Sequence, residues 1–80
     1  MKTVNLREIL SFSIKAFRAE AGLSQDEFAA RCGLHRTYIG SVERLERNVT
    51  LETLNQLSTA MGVSAADLLT PRKRKASAGE

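Results

Sequence analysis

The chain has one cysteine, one histidine, one proline, no tryptophan, and only three phenylalanines and one tyrosine among its 80 residues. A lone thiol excludes an intrachain disulfide, and one Cys with one His cannot furnish a tetrahedral zinc site. Cys32 therefore reads as a small buried thiol in a reducing compartment. No stretch approaches the roughly 18–20 apolar residues that span a bilayer. The opening MKTVNLREIL lacks both a sustained apolar run and a small-residue cleavage site, so no signal peptide is expected. A cytoplasmic protein with no membrane partner follows as the expectation. Catalytic signatures are missing too. There is no nucleophile–base constellation, no Gly-rich phosphate loop and no carboxylate pair in a probable cleft, which points away from an enzyme and from a bound cofactor.

Charge of one sign is also scarce once it is located. The net charge is +3, and residues 71–80 carry Arg72, Lys73, Arg74 and Lys75 against Glu80. The preceding 70 residues are balanced, eight basic against eight acidic. After Pro71 the apolar residues vanish, and a segment of this composition cannot offset its ordering entropy. The sequence thus divides into one domain over 1–70 and a disordered basic tail over 71–80. A domain this small buries only a modest share of its surface, and oligomerisation is one remedy.

What is present is helical periodicity. No run of β-branched residues alternates with polar ones over a strand's length. Leu6, Ile9, Leu10, Ile14, Phe17 and Ala21 recur at steps of three and four, predicting a helix over about 5–21 that stops at Gly22. Phe12 lies off this stripe, either as a second packing surface or as a partly covered core residue. Ser24 with Glu27 forms a capping box. It opens a short helix with Phe28, Ala29 and Cys32 inward, ending at Gly33. Tyr38, Ile39, Val42 and Leu45 predict the next helix over about 36–45. Thr50 starts a fourth, with Leu51, Leu54, Leu57, Ala60 and Met61 on one face and Gly62 as its stop. Ser64 with Asp67 is a second capping box, leading to Leu68 and Leu69. Five helices with short connectors predict a compact all-α bundle.

The informative segment is LSQDEFAARCGLHRTYIGSVE, Leu23 to Glu43. A short helix, a Gly-containing turn and a second helix must cross steeply, and small residues at Ala29, Ala30 and Gly33 permit close approach. Such a pair lets one helix span a DNA backbone while the next enters the major groove.

Residues 14–69 resemble the Cro/C1-type (XRE-like) helix-turn-helix domain of phage repressors and many bacterial regulators. The resemblance rests on Gly22-Leu23-Ser24-Gln25, Phe28-Ala29, Gly33-Leu34, Tyr38-Ile39, Val42-Glu43, Thr53-Leu54 and Met61-Gly62-Val63-Ser64. Arg36-Thr37-Tyr38-Ile39, Glu43-Arg44 and Arg47-Asn48-Val49-Thr50 look more narrowly like restriction–modification controller proteins. The resemblance implies a lambda-repressor-like five-helix fold and a sequence-specific transcription regulator with double-stranded DNA as its partner.

It also implies roles for particular residues. Arg36, Thr37 and Ser41 occupy base-facing positions of the recognition helix, where an arginine suits a bidentate contact to guanine. Gln25, Tyr38, Arg44, Arg47 and Asn48 are expected on phosphates, Gln25 aided by the free N–H groups of a helix start. Arg18 and Glu43 match a partly buried structural ion pair. His35 stands where the family has a Ser, Thr or Asp N-cap and is expected to cap less well.

One recognition helix reads too few base pairs to find a site in a genome, so a homodimer on a palindromic operator is expected. Val63, Leu68 and Leu69 are the interface candidates, although they could instead close the monomer core. With no effector domain apparent, regulation would follow protein concentration, by repression of its own promoter or recruitment of RNA polymerase. The competing reading is an antitoxin-type protein-interaction module on the same fold.

Overall fold

The structure is a computed structural model, and it describes residues 5–71. Five helices occupy these residues, with no strand among them: α1 (Leu6–Ala21), α2 (Gln25–Cys32), α3 (Arg36–Glu43), α4 (Leu51–Met61) and α5 (Ala65–Leu68). The all-α bundle read from periodicity is the fold. The basic tail expected over 71–80 lies, apart from Pro71, outside the described residues.

Each helix start follows its local chemistry, with one exception. Asn5 accepts from the backbone N–H groups of Arg7 and Glu8, and Thr50 accepts from that of Thr53. Both capping boxes form, Ser24 with Glu27 and Ser64 with Asp67. His35 precedes α3 with extended backbone angles but makes no capping bond. The turn between α2 and α3 depends on Gly33, whose φ of 72° is a left-handed value that a side chain disfavours.

The core is built from Leu10 and Ile14 of α1, Phe28, Ala29 and Cys32 of α2, Ile39 and Val42 of α3, Leu54 and Leu57 of α4, and Leu68 of α5. Phe17 packs a tilted ring against Phe28 at 5.7 Å between centroids. Burial pushes the Cys32 thiol up to about 11, so it stays protonated and unreactive at neutral pH. Three polar side chains tie the helices together by occupying helix-terminal carbonyls, which have no partner within their own helix. Ser11 donates to the carbonyl of Glu43 at 2.8 Å, Ser13 to that of Leu68 at 3.2 Å, and Gln56 to that of Cys32 at 3.3 Å.

The structure departs from the periodicity in three places, while Phe12, which lies off the stripe, takes its surface reading. Leu51, expected to face inward, is 85% exposed, and Leu6 is half-exposed. Both sit in the first turn of a helix and line a groove that is open to solvent. Ala21 and Ala30 are also exposed, so only Ala29 serves the α2–α3 crossing. Finally, α3 ends at Glu43 and not at Leu45. The N–H of Leu45 donates to Val42 and that of Glu46 to Ser41, the pairing of a Schellman termination. Leu45 takes the left-handed position normally held by glycine, with φ of 64°. That conformation costs a non-glycine residue about 1–2 kcal/mol.

The uncapped start of α3 is open to improvement. His35→Ser supplies an acceptor for a free N–H of the first turn and should stabilise the fold by about 1 kcal/mol. For a domain of this size, calorimetry should show a rise in Tm of about 4–8 °C. An unchanged Tm would mean that the histidine is already matched by solvent at that end.

Candidate nucleic-acid interface

The arrangement of α2 and α3 is anchored on a buried carboxylate. Glu43, the last residue of α3, is 6% exposed. An isolated charge there would be costly. Arg18 of α1 meets it with two donors, Nε to Oε2 at 2.7 Å and Nη2 to Oε1 at 2.9 Å. Gln25, the first residue of α2, adds a third through Nε2 to Oε1 at 2.9 Å. The remaining Arg18 nitrogen, Nη1, donates to the carbonyl of Leu23 at 3.0 Å. Burial alone would raise the Glu43 carboxyl, but the hydrogen bonds from Arg18 and Gln25, with the charges of Arg18 and Lys15, outweigh it and hold the group below the usual range. The Arg18 guanidinium is raised in turn, chiefly by its hydrogen bond to Glu43. One carboxylate thus ties α1, α2 and the end of α3 into a fixed geometry.

Gly40 makes room for this arrangement. A Cβ added there would stand 3.0 Å from Arg44 Nη1 and 3.4 Å from Gln25 Oε1. Two long polar side chains thus cross α3 close to its backbone, and a side chain at position 40 would require the exposed end of Arg44 to move aside. Sequence reasoning passed over Gly40, although a glycine inside an apolar helical pattern is itself a sign of close approach.

With the far end of α3 buried, only its first turn is presented outward. Arg36 and Thr37 are exposed, and neither side chain has a hydrogen bond or ion pair with a described residue. Ser41, expected beside them as a base-contacting residue, is 7% exposed. Its hydroxyl donates to the carbonyl of Tyr38 at 2.8 Å and accepts from Arg47 Nε at 3.1 Å. The Arg47 guanidinium lies over the Tyr38 ring, 4.8 Å from its centroid. Tyr38 and Ser41 together therefore hold Arg47 against the flank of α3. No local pattern signals this, because Arg47 reaches back six residues across a chain reversal.

The other expected residues are distributed around this face. Arg44 pairs with Glu46 at 3.2 Å, both side chains more than half exposed, so the bond contributes little. Asn48 is exposed. Gln25 is half-buried and engaged with Glu43. Arg36, Arg44 and Arg47 give the surface a basic character, while the nearest buried acid is neutralised internally by Arg18.

The three interface candidates do not form one surface. Leu68 is 2% exposed and packs into the subunit's own core, the alternative its position left open, at the edge of the hollow that Val63 also lines. Val63 opens onto a hollow shared with Phe17 and Met61. Leu69 opens onto a different groove, shared with Leu6 and Leu51.

A short helix locked across another, with the first turn of the second presented outward beside basic side chains, is the geometry of a DNA-binding helix-turn-helix. A helix-turn-helix family model matches residues 14–68, and the chain belongs to the Cro/C1-type (XRE-like) branch of that family of transcription regulators. Within it the chain is most like the restriction–modification controller proteins. It is 51% identical over 67 residues to the control protein C.SmaI of Serratia marcescens, covering 84% of this chain and 80% of that protein. A hypothetical transcription factor from Neisseria, NHTF, superposes with a TM-score of 0.79 at 42% identity, covering 84% of this chain and 77% of that one. The controller protein C.Esp1396I, solved as a tetramer in complex with its natural 35 base-pair operator, superposes with a TM-score of 0.70 at 36% identity over 79% of this chain and 83% of that one.

The buried carboxylate yields a prediction with a defined sign. Glu43→Gln preserves volume but removes the charge, and should cost about 2 kcal/mol at neutral pH, read by urea denaturation. The folded value of Glu43 lies below its unfolded one, so its stabilisation is full above about pH 4.3 and fades as the pH falls through the lower folded value. The variant should therefore lose stability less steeply than the wild type below that pH. Identical slopes would show that Glu43 does not carry the acid sensitivity.

Proposed function

We propose that the chain binds a palindromic operator in the cytoplasm as a homodimer, with α3 of each subunit in the major groove, and controls transcription from a nearby promoter. The observation that supports this best is the presentation of Arg36 and Thr37. They stand free at the start of a helix whose other end is fixed by Glu43, so the reading end is both open and rigidly aimed. In this reading Arg36 makes a bidentate contact to guanine, and Thr37 offers its hydroxyl or presses its methyl on thymine. Ser41 acts from behind, by orienting Arg47. Arg44, Arg47 and Asn48 meet phosphates after α3, and Tyr38 contributes the platform beneath Arg47 with its hydroxyl toward the backbone. Gln25 meets a phosphate from the start of α2, where helix N–H groups are free.

Two subunits on one duplex place their half-sites about one helical turn, roughly 34 Å, apart. The tetramer of C.Esp1396I on its operator supports a further step, in which two dimers occupy neighbouring sites. A strong site filled first and a weaker one filled later would give recruitment of RNA polymerase and then self-repression as the protein accumulates.

Selection of bound sequences from random duplex DNA at about 150 mM salt, where non-specific binding is suppressed, tests the reading. A palindrome with half-sites a turn apart is the expected product. Arg36→Ala and Thr37→Ala should each relax one position of the motif at a cost of about 1–3 kcal/mol. Arg47→Ala should weaken all sequences alike and lower the salt slope by about 1. Recovery of no motif, with weak salt-sensitive binding only, would overturn the regulator reading and favour a protein partner.

A further inference from the structure

Phe12 and Leu45 are exposed large apolar side chains that lie together, apart from the groove of Leu6 and Leu51. They line a hollow of about 200 Å³ between the middle of α1 and the residues after α3. A space of about 150 Å³ accommodates benzene, so the hollow has room for a phenylalanine ring. Phe12 stands off the stripe that builds the core, and the core gives it no role. Leu45 holds a left-handed conformation, φ 64°, that glycine would adopt without strain. Strain of this kind at a non-glycine residue clusters at functional surfaces.

The helix side of the hollow has an internal symmetry. Glu8, Ser11, Phe12 and Lys15 line it from α1, at the i, i+3, i+4 and i+7 positions of one helix face. Reversing α1 about the midpoint between Ser11 and Phe12 exchanges Glu8 with Lys15 and Ser11 with Phe12. An antiparallel contact between two such helices across a two-fold axis therefore matches acid to base twice and sets each large ring over a small serine. Both charges are available, because Glu8 and Lys15 are exposed and neither side chain has a hydrogen bond or ion pair with a described residue. Ser11 is buried with its hydroxyl donated to the carbonyl of Glu43, so it offers no unmet donor to an incoming ring.

We infer that this face of α1 joins a second copy of the chain, separately from the contact that makes the homodimer, with each Phe12 ring seated between the partner's Ser11 and Leu45 and each Glu8 facing the partner's Lys15. The inference rests on the two neighbouring dimers of the proposed function and names the surface between them. Leu45 stands between Arg44 and Arg47 in the chain, so the contact forms beside the segment proposed to meet phosphates. It is small, one ring and part of a leucine per subunit, and therefore weak in free solution. Two dimers on adjacent sites of one duplex meet at an effective concentration far above that in solution, so a weak contact suffices to couple their binding.

Sedimentation equilibrium of the full chain without DNA is the test. The wild type should show a step from dimer to tetramer with a dissociation constant between about 10 µM and about 1 mM. Phe12→Glu should weaken that step at least about tenfold and leave the dimer intact, because two rings lose their burial. Leu45→Gly should weaken it too, with a Tm no lower than the wild type's, since glycine relieves the left-handed residue. A leucine that served only its own subunit would instead give a lower Tm and unchanged association, against the inference. Glu8→Lys should weaken the step through like charges, and the double exchange Glu8→Lys with Lys15→Glu should restore it. A wild type with no species above the dimer at about 1 mM, or a tetramer indifferent to Phe12→Glu, would overturn the inference and leave the homodimer and the operator reading standing. Monomers in Phe12→Glu would overturn it as well, by making this face the homodimer contact itself. A chain that stays monomeric throughout would overturn the homodimer and this inference together, while selection of half-site sequences still reports DNA recognition separately.

Discussion

The disposition of the whole molecule depends on how a single negative charge is kept out of water. Glu43 terminates α3 inside the protein, and Arg18 and Gln25 converge on it from the two preceding helices. A buried pair of this kind contributes little net stability over an apolar replacement, but breaking it is expensive because the surviving charge is stranded. Its value here is angular. Helix α3 has only eight residues, too short to define its own direction against the bundle by apolar contacts alone. The three hydrogen bonds on Glu43 add directional restraints at the end opposite the exposed reading turn. The hydroxyl of Ser11 adds a fourth, donated to the backbone carbonyl of the same glutamate. The remaining helices behave as supports for that arrangement. Ser13 and Gln56 repeat the device on α5 and α2, so inter-helix ties are made through the carbonyls that helices leave over.

The same logic divides the recognition surface into a fixed and a free part. Fixed side chains are those whose polar atoms are already spoken for: Gln25 by Glu43, Arg47 by Ser41 and the face of Tyr38. Free ones are Arg36 and Thr37. A side chain held in place before binding loses less conformational freedom on contact, which favours affinity. One left unengaged can adjust to the base edge in front of it. This division suits a protein in which phosphates set position and bases set identity.

Much of this was legible in the residue string, and the part that was not has a common cause. Helix starts and stops rest on local chemistry within four residues, and Ser24, Glu27, Thr50, Ser64, Gly22, Gly33 and Gly62 all behaved as their neighbours dictate. The Arg18–Glu43 pair was reachable only through the resemblance, since no periodicity connects residues 25 apart. The errors came where tertiary geometry decides. Leu51 keeps the apolar spacing of α4 yet is exposed, because it stands at the edge of a groove that no described element fills. Ser41 sits one turn beyond Thr37 on a helical wheel, but Arg47 folds back onto its hydroxyl and covers it. Leu45 continues an apolar pattern through a chain reversal that periodicity cannot register. Arg47 joins Ser41 and Tyr38 only because of that reversal.

The early end of α3 also limits how much the protein can say. With Ile39 to Glu43 turned inward, the exposed vocabulary of each subunit is two unengaged side chains and part of a tyrosine. In terms of information, that is a few bits per half-site, less than a bacterial chromosome demands for a unique address. The deficit has to be met by positions that no side chain touches. Base steps between half-sites differ in how readily they bend and narrow, and the proposed pair of subunits would convert those differences into binding energy. In the proposed complex, so short a reading turn would make the protein a judge of DNA stiffness as much as of DNA letters.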